Sequence, residues 1–124
     1  MIKEYWIYML ECDNGSLYTG YTTDMNRRIR EHVDKNRGAK FTSGFRPIAT
    51  AACWRLLGTR SEALKVEAFI KSMSRKEKDE LIKKPRTLAS KTAAVLPGVK
   101  LYVHKLDKKD RANKILQNAS PEHR

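Results

Sequence analysis

Five residues of this chain have types and spacings that suit phosphodiester hydrolysis. Tyr8 and Tyr18 stand 18 − 8 = 10 residues apart, Arg28 and His32 stand 32 − 28 = 4 apart, and Glu67 falls in a later apolar segment. The Arg28 guanidinium is a planar fork matched to a phosphate, able to bind a nonbridging oxygen and stabilise charge in an in-line displacement. His32 titrates near neutrality and could share in proton transfer or hold the phosphate. A tyrosine is a poor base with an ordinary pKa of about 10, but its phenolate is favoured beside a cation and could then orient water or take its proton. Glu67 lies on or beside an apolar stripe, where a carboxylate needs compensation. Magnesium commonly uses one or two protein carboxylates and keeps several waters, so one glutamate is a workable ligand when a phosphate supplies other oxygens. Two other readings of Glu67 stand beside that one: a side chain reaching solvent, or a partner for Arg28.

The elements that must position these residues follow from periodicity. Residues 5–11, YWIYMLE, and 16–22, SLYTGYT, have strand composition, and Asp13-Asn14-Gly15 between them is a turn signal. Loop length decides the geometry. A two-residue turn pairs Asp13 with Ser16 and puts Tyr8 and Tyr18 on opposite faces, whereas a three-residue turn with Gly15 left-handed pairs Cys12 with Ser16 and puts them on one face. Both are common, and a shared site requires the second. Thr23 or Asp24 caps a helix whose buried stripe is Met25, Ile29 and Val33, with Arg28 and His32 on its shoulder. Residues 34–46 read as a basic loop in which Lys35, Arg37, Lys40 and Arg46 alternate with Phe41 and Phe45, residues suited either to stacking on a nucleic-acid strand or to plugging the loop onto the core.

A third strand follows from Pro47 to Leu57. Thr59-x-x-Glu62 has the form of a capping box and opens a helix with Ala63, Val66, Ile70 and Met73 inward; Ser74 caps another that Pro85 ends. That capping role accounts for Glu62. Residues 86–98 read as a flexible connection, 99–104 alternate like a strand, and 107–118 suit a short polar helix.

Composition narrows the partner. The 124 residues make one domain and include 26 basic and 14 acidic side chains, a net charge of +12 and a pI near 9.9. The excess is spread: residues 1–85 carry 17 basic and 11 acidic residues and residues 86–124 carry 9 and 3, so each part is +6. A polyanion is the expected partner, nucleic acid above all. Cys12 and Cys53 lie far apart without a second Cys or His at ligand spacing, which argues against zinc and for a reducing compartment. The charged start MIKEYW is unlike a signal peptide, and no apolar run is long enough for a membrane span, so the expected location is cytoplasmic.

Taken together, Tyr8 in WIY, Tyr18-Thr19-Gly20, the helical RRIREH and SEALKVE resemble the GIY-YIG endonuclease superfamily, closest to its short stand-alone bacterial members (YhbQ-like). The resemblance covers roughly residues 4–84. It implies an α+β fold, a three-stranded antiparallel sheet packed with three helices, over a nuclease domain at 1–85 followed by a basic C-terminal extension at 86–124. It also implies hydrolysis of DNA with one divalent cation, Mg²⁺ or Mn²⁺, in DNA repair or recombination. Tyr8, Tyr18, Arg28, His32 and Glu67 would be the catalytic set, Glu67 the metal ligand, Gly20 the glycine closing the second half-motif, and Arg27, Lys35, Arg37, Lys40 and Arg46 nucleic-acid contacts. Trp6 departs from the motif's glycine, Thr19 from its isoleucine, and Tyr21 from a basic residue in several relatives. The alternative is a non-catalytic nucleic-acid-binding module on the same scaffold. The C-terminal segment is open to a protein partner or a second copy.

Overall fold

A computed structural model describes residues 2–28 and 47–105. Strands β1 (Lys3–Cys12), β2 (Leu17–Thr22), β3 (Pro47–Gly58) and β4 (Lys100–Val103) form an antiparallel sheet in the order β2-β1-β3-β4. Helices α1 (Arg60–Lys71), α2 (Arg75–Lys83) and α3 (Thr87–Ala93) follow β3 in the chain. The α+β architecture is the expected one, with β4 added as a fourth strand beside β3. No helix among the described residues is long and apolar enough to cross a membrane.

The β1–β2 turn has three residues. Gly15 adopts φ +86°, a left-handed conformation that glycine takes without a Cβ clash, the Cys12 amide donates to the Ser16 carbonyl at 2.9 Å, and the Asn14 carboxamide accepts from the Ser16 amide at 3.0 Å. The resulting register sets Leu10 opposite Tyr18 and Tyr8 opposite Gly20. Tyr8 and Tyr18 therefore share a face.

Alternation gives the two sheet faces different tasks. One presents Tyr5, Ile7, Met9, Trp54 and Leu56 to Ala63, Val66 and Ile70 of α1, Leu81 of α2 and Leu88 of α3, all buried in one core. The other carries Tyr8, Leu10 and Cys53, with Trp6, Tyr18 and Met25 against them. Helices α1 and α2 begin with complete capping boxes, Thr59 with Glu62 and Ser74 with Glu77.

Residues 86–98 are a correction. They hold α3, whose Leu88 and Thr92 are buried four residues apart, although the segment has no capping side chain and is rich in small residues. The Trp54 indole donates to the Pro85 carbonyl at 2.8 Å, and the backbone from α3 returns to pair β4 with β3. The suggested helix at 107–118 lies outside the described residues.

Candidate active site

Asp24 places the arginine. Its carboxylate accepts from the Arg27 amide at 3.0 Å and its carbonyl from the Arg28 amide at 3.0 Å, starting the helical turn at residues 25–28 over the second sheet face. From there the Arg28 Nε donates to the Tyr8 hydroxyl at 2.9 Å. The Tyr8 and Tyr18 ring centroids are 6.3 Å apart with planes inclined at 39°, an ordinary aromatic pair.

Gly20 gives the Tyr8 ring its place. A Cβ at this position would stand 2.5 Å from the Tyr8 hydroxyl oxygen and 2.7 Å from Cζ, so the phenol lies directly over its cross-strand neighbour's backbone. Any side chain there would push it off. The glycine of the second half-motif thus has a steric reason.

Glu67 arrives from α1, beside the buried Val66, with its side chain 16% exposed. Its carboxylate meets Lys71 at 3.4 Å, one turn on, and its charge is felt at the Tyr8 phenol. Burial is the main influence on that phenol and pushes it up to about 12; the Arg28 hydrogen bond and charge oppose the rise, while Tyr18 and Glu67 add to it. Tyr8 is therefore a neutral hydroxyl near pH 7 whose oxygen already accepts from Arg28.

Four of the five candidate residues, Tyr8, Tyr18, Arg28 and Glu67, thus lie within contact or electrostatic reach of one phenol. His32, Lys35, Arg37, Lys40 and Arg46 lie outside the described residues, and Arg27 is exposed beside the site. Lys71 was not signalled in advance, although its i+4 spacing from Glu67 makes such a pair ordinary.

The donor set at Glu67 can be tested against a cation. Among the described residues, no group of three or more His, Cys, Asp and Glu could hold a metal ion. A single mostly buried carboxylate, neutralised by an exposed lysine that solvent screening makes easy to displace, fits a hard and largely hydrated ion such as Mg²⁺.

Tyr21, one of the motif departures, has a structural role. The Tyr21 hydroxyl accepts from Arg60 Nε at 3.1 Å, linking β2 to the start of α1. Thr19 is 3% exposed, and its hydroxyl has no hydrogen-bond partner among the described residues.

With this geometry, the GIY-YIG catalytic domain matches residues 4–80. The chain belongs to the GIY-YIG family, a family of nucleases. Among its relatives, the UPF0213 protein BH0048 of Halalkalibacterium halodurans is 42% identical over 78 residues, 63% of this chain and 81% of that protein. The UPF0213 protein HQ_3675A of Haloquadratum walsbyi is 46% identical over 62% of this chain and 84% of its own length. A UPF0213 protein of Staphylococcus aureus is 41% identical over 66% and 98%. A solution NMR structure of the UPF0213 protein BH0048 from Bacillus halodurans aligns at a TM-score of 0.40 and 38% identity, covering 72% of this chain and 96% of that one.

Proposed function

We propose that this protein is a metal-dependent endonuclease that hydrolyses DNA phosphodiester bonds at the face of β1 and β2. The observation that carries the reading is the convergence on the Tyr8 phenol of Arg28 at 2.9 Å, the Tyr18 ring, and the charge of Glu67 from a different element. Arg28 grips a nonbridging oxygen of the scissile phosphate, and Glu67, released from Lys71, holds one Mg²⁺ or Mn²⁺. When bound, that ion would supply charge neutralisation on the phosphate and a polarised water.

The chain's own hydroxyls divide the remaining work by exposure. Tyr8 is buried and neutral, and it holds Arg28 in its working position. Tyr18 is half-buried beside it and orients the attacking water, with His32 assisting the proton. Arg27, Lys35, Arg37, Lys40 and Arg46 carry the strand through its backbone, as the net charge of +12 favours. Two buried, free cysteines suit the cytoplasm, and DNA repair or recombination is the setting the chemistry fits.

Purified protein incubated with single-stranded, duplex and branched DNA should produce nicks with Mg²⁺ or Mn²⁺ and none with EDTA. Arg28→Ala should lose most of that cleavage. Salt-sensitive binding without cleavage of any of these DNAs would assign the chain to the alternative, a binding module on the same scaffold.

A further inference from the structure

The sheet face that carries Tyr8 does not end at β1. Register sets Trp6 opposite Arg55 and Arg55 opposite Tyr102, so these three side chains form a row across β1, β3 and β4. Just past the end of β4, the His104 amide donates to the Cys53 carbonyl at 2.9 Å, and Cys53 is the cross-strand neighbour of Tyr8. The His104 ring leans over that small residue to meet Trp6 edge-on, with centroids 5.2 Å apart and planes at 82°. Trp6 in turn packs against the cluster holding Tyr8 and Tyr18.

This surface is open and positive. Tyr102 is 46% exposed, and His104 and Lys100, which alternate with it, are exposed too. The Arg55 guanidinium lies 5.1 Å over the Tyr102 ring and also pairs with Glu4 at 2.9 Å, which neutralises the acid of the neighbouring row. Strand spacing and rise place Tyr102 about 12 Å from Tyr8. The strand that supplies Tyr102 and Lys100, with His104 just after it, lies beyond residues 4–80, so this half of the surface is outside the family's catalytic domain.

We propose that Trp6, His104 and Tyr102, with Arg55 and Lys100, form a stacking platform for an unpaired nucleic-acid strand running from the catalytic tyrosines across β4. This deepens the nuclease reading by naming its substrate class, and it rests on that reading for the direction of the strand. Exposed rings flanked by cations gain most from bases whose flat faces are free, and in a duplex those faces are already stacked. The charges complement the backbone, and the rings complement the bases.

The test is binding in EDTA, where cleavage does not contribute. Fluorescence anisotropy would follow a labelled dT 12-mer and the same 12-mer paired as a blunt duplex, against the full chain. The single strand should bind more tightly. Tyr102→Leu and His104→Ala should each weaken it by about 5-fold or more, the loss of one stacked base, and leave the duplex unchanged. Tyr102→Phe should keep wild-type affinity, which separates stacking from damage to β4, with melting curves verifying the fold. Single-strand affinity unmoved by Tyr102→Leu and His104→Ala, or tighter duplex binding, overturns the platform, as does self-association that Tyr102→Leu abolishes while oligonucleotide binding stays the same. A chain that shows the expected binding and never cuts keeps the platform and loses the nuclease; one that cuts while the platform variants bind normally does the reverse.

Discussion

Gly20→Ala is the sharpest probe of how the two half-motifs fit together. The added Cβ would lie 2.5 Å from the Tyr8 hydroxyl oxygen, 2.7 Å from Cζ and 3.1 Å from Cε1, where ordinary contact begins at 3.4 Å. To reach ordinary contact the phenol must therefore move by 3.4 − 2.5 = 0.9 Å. Tyr8 is 1% exposed and bonded to Arg28 at 2.9 Å, so the ring has little room and the hydrogen bond is stretched or broken as it moves. Overpacking of this kind costs about 1–3 kcal/mol. Replacing a strand glycine by alanine returns about 0.5–1 kcal/mol through backbone entropy. The expected net effect is a loss of up to about 2 kcal/mol, read as a lower midpoint in urea with an unchanged slope. In a Tyr8→Ala background the obstacle is gone, and the same substitution should raise the midpoint. This reversal of sign follows from the ring lying over Gly20 and from nothing else proposed for this site. If Gly20→Ala shifts stability equally in both backgrounds, the close approach is not there and the account of the half-motif is wrong.

Three further outcomes follow from other parts of the molecule. Thr19→Val should stabilise the protein by about 1 kcal/mol, because it removes a buried hydroxyl that has no partner among the described residues; a lower urea midpoint would show that the hydroxyl is bonded. Tyr8 titrates near 12 when folded and near 10 when unfolded, so the unfolded chain releases this proton first and stability falls from about pH 10 to 12. Tyr8→Phe should flatten that fall, while Cys53, also pushed up to about 12 by burial but from 9, contributes a fall that starts lower and is removed separately by Cys53→Ala. Leu88→Ala should cost about 2–5 kcal/mol, a core deletion, whereas a linker at 86–98 would tolerate it with no change in melting temperature.

The sequence was most informative where local chemistry and pattern agree. Both capping boxes, the three strands up to Gly58 and the α1 stripe are legible because each is written in a few neighbouring residues. The turn at Asp13-Asn14-Gly15 marked a hairpin but left its register open between two loops differing by one residue, and that choice decides whether Tyr8 and Tyr18 meet. Helix α3 was missed because Thr87–Ala93 has no cap and only Leu88 and Thr92 to mark its inner face. The alternation at 99–104 announced a strand, yet no local pattern names the edge it joins, so the neighbours His104 and Tyr102 give to Trp6 and Arg55 were invisible. Trp6 read as a lapse from a glycine motif and is a wall of this surface. The reach of Glu67 to Tyr8 is likewise a tertiary fact, for which the sequence offered only a carboxylate on the wrong side of a helix.

Glu67 remains the residue on which the central claim turns. Nicking of a labelled single strand would be followed against Mg²⁺ and Mn²⁺ concentration for the intact chain and for Glu67→Ala, with DNA binding measured in parallel. Saturable, metal-dependent cleavage is expected, which Glu67→Ala abolishes at every metal concentration while binding stays within about 3-fold of the intact chain, since one carboxylate is lost from a surface whose affinity is set by its cations. Cleavage by Glu67→Ala at the intact rate would contradict the central claim.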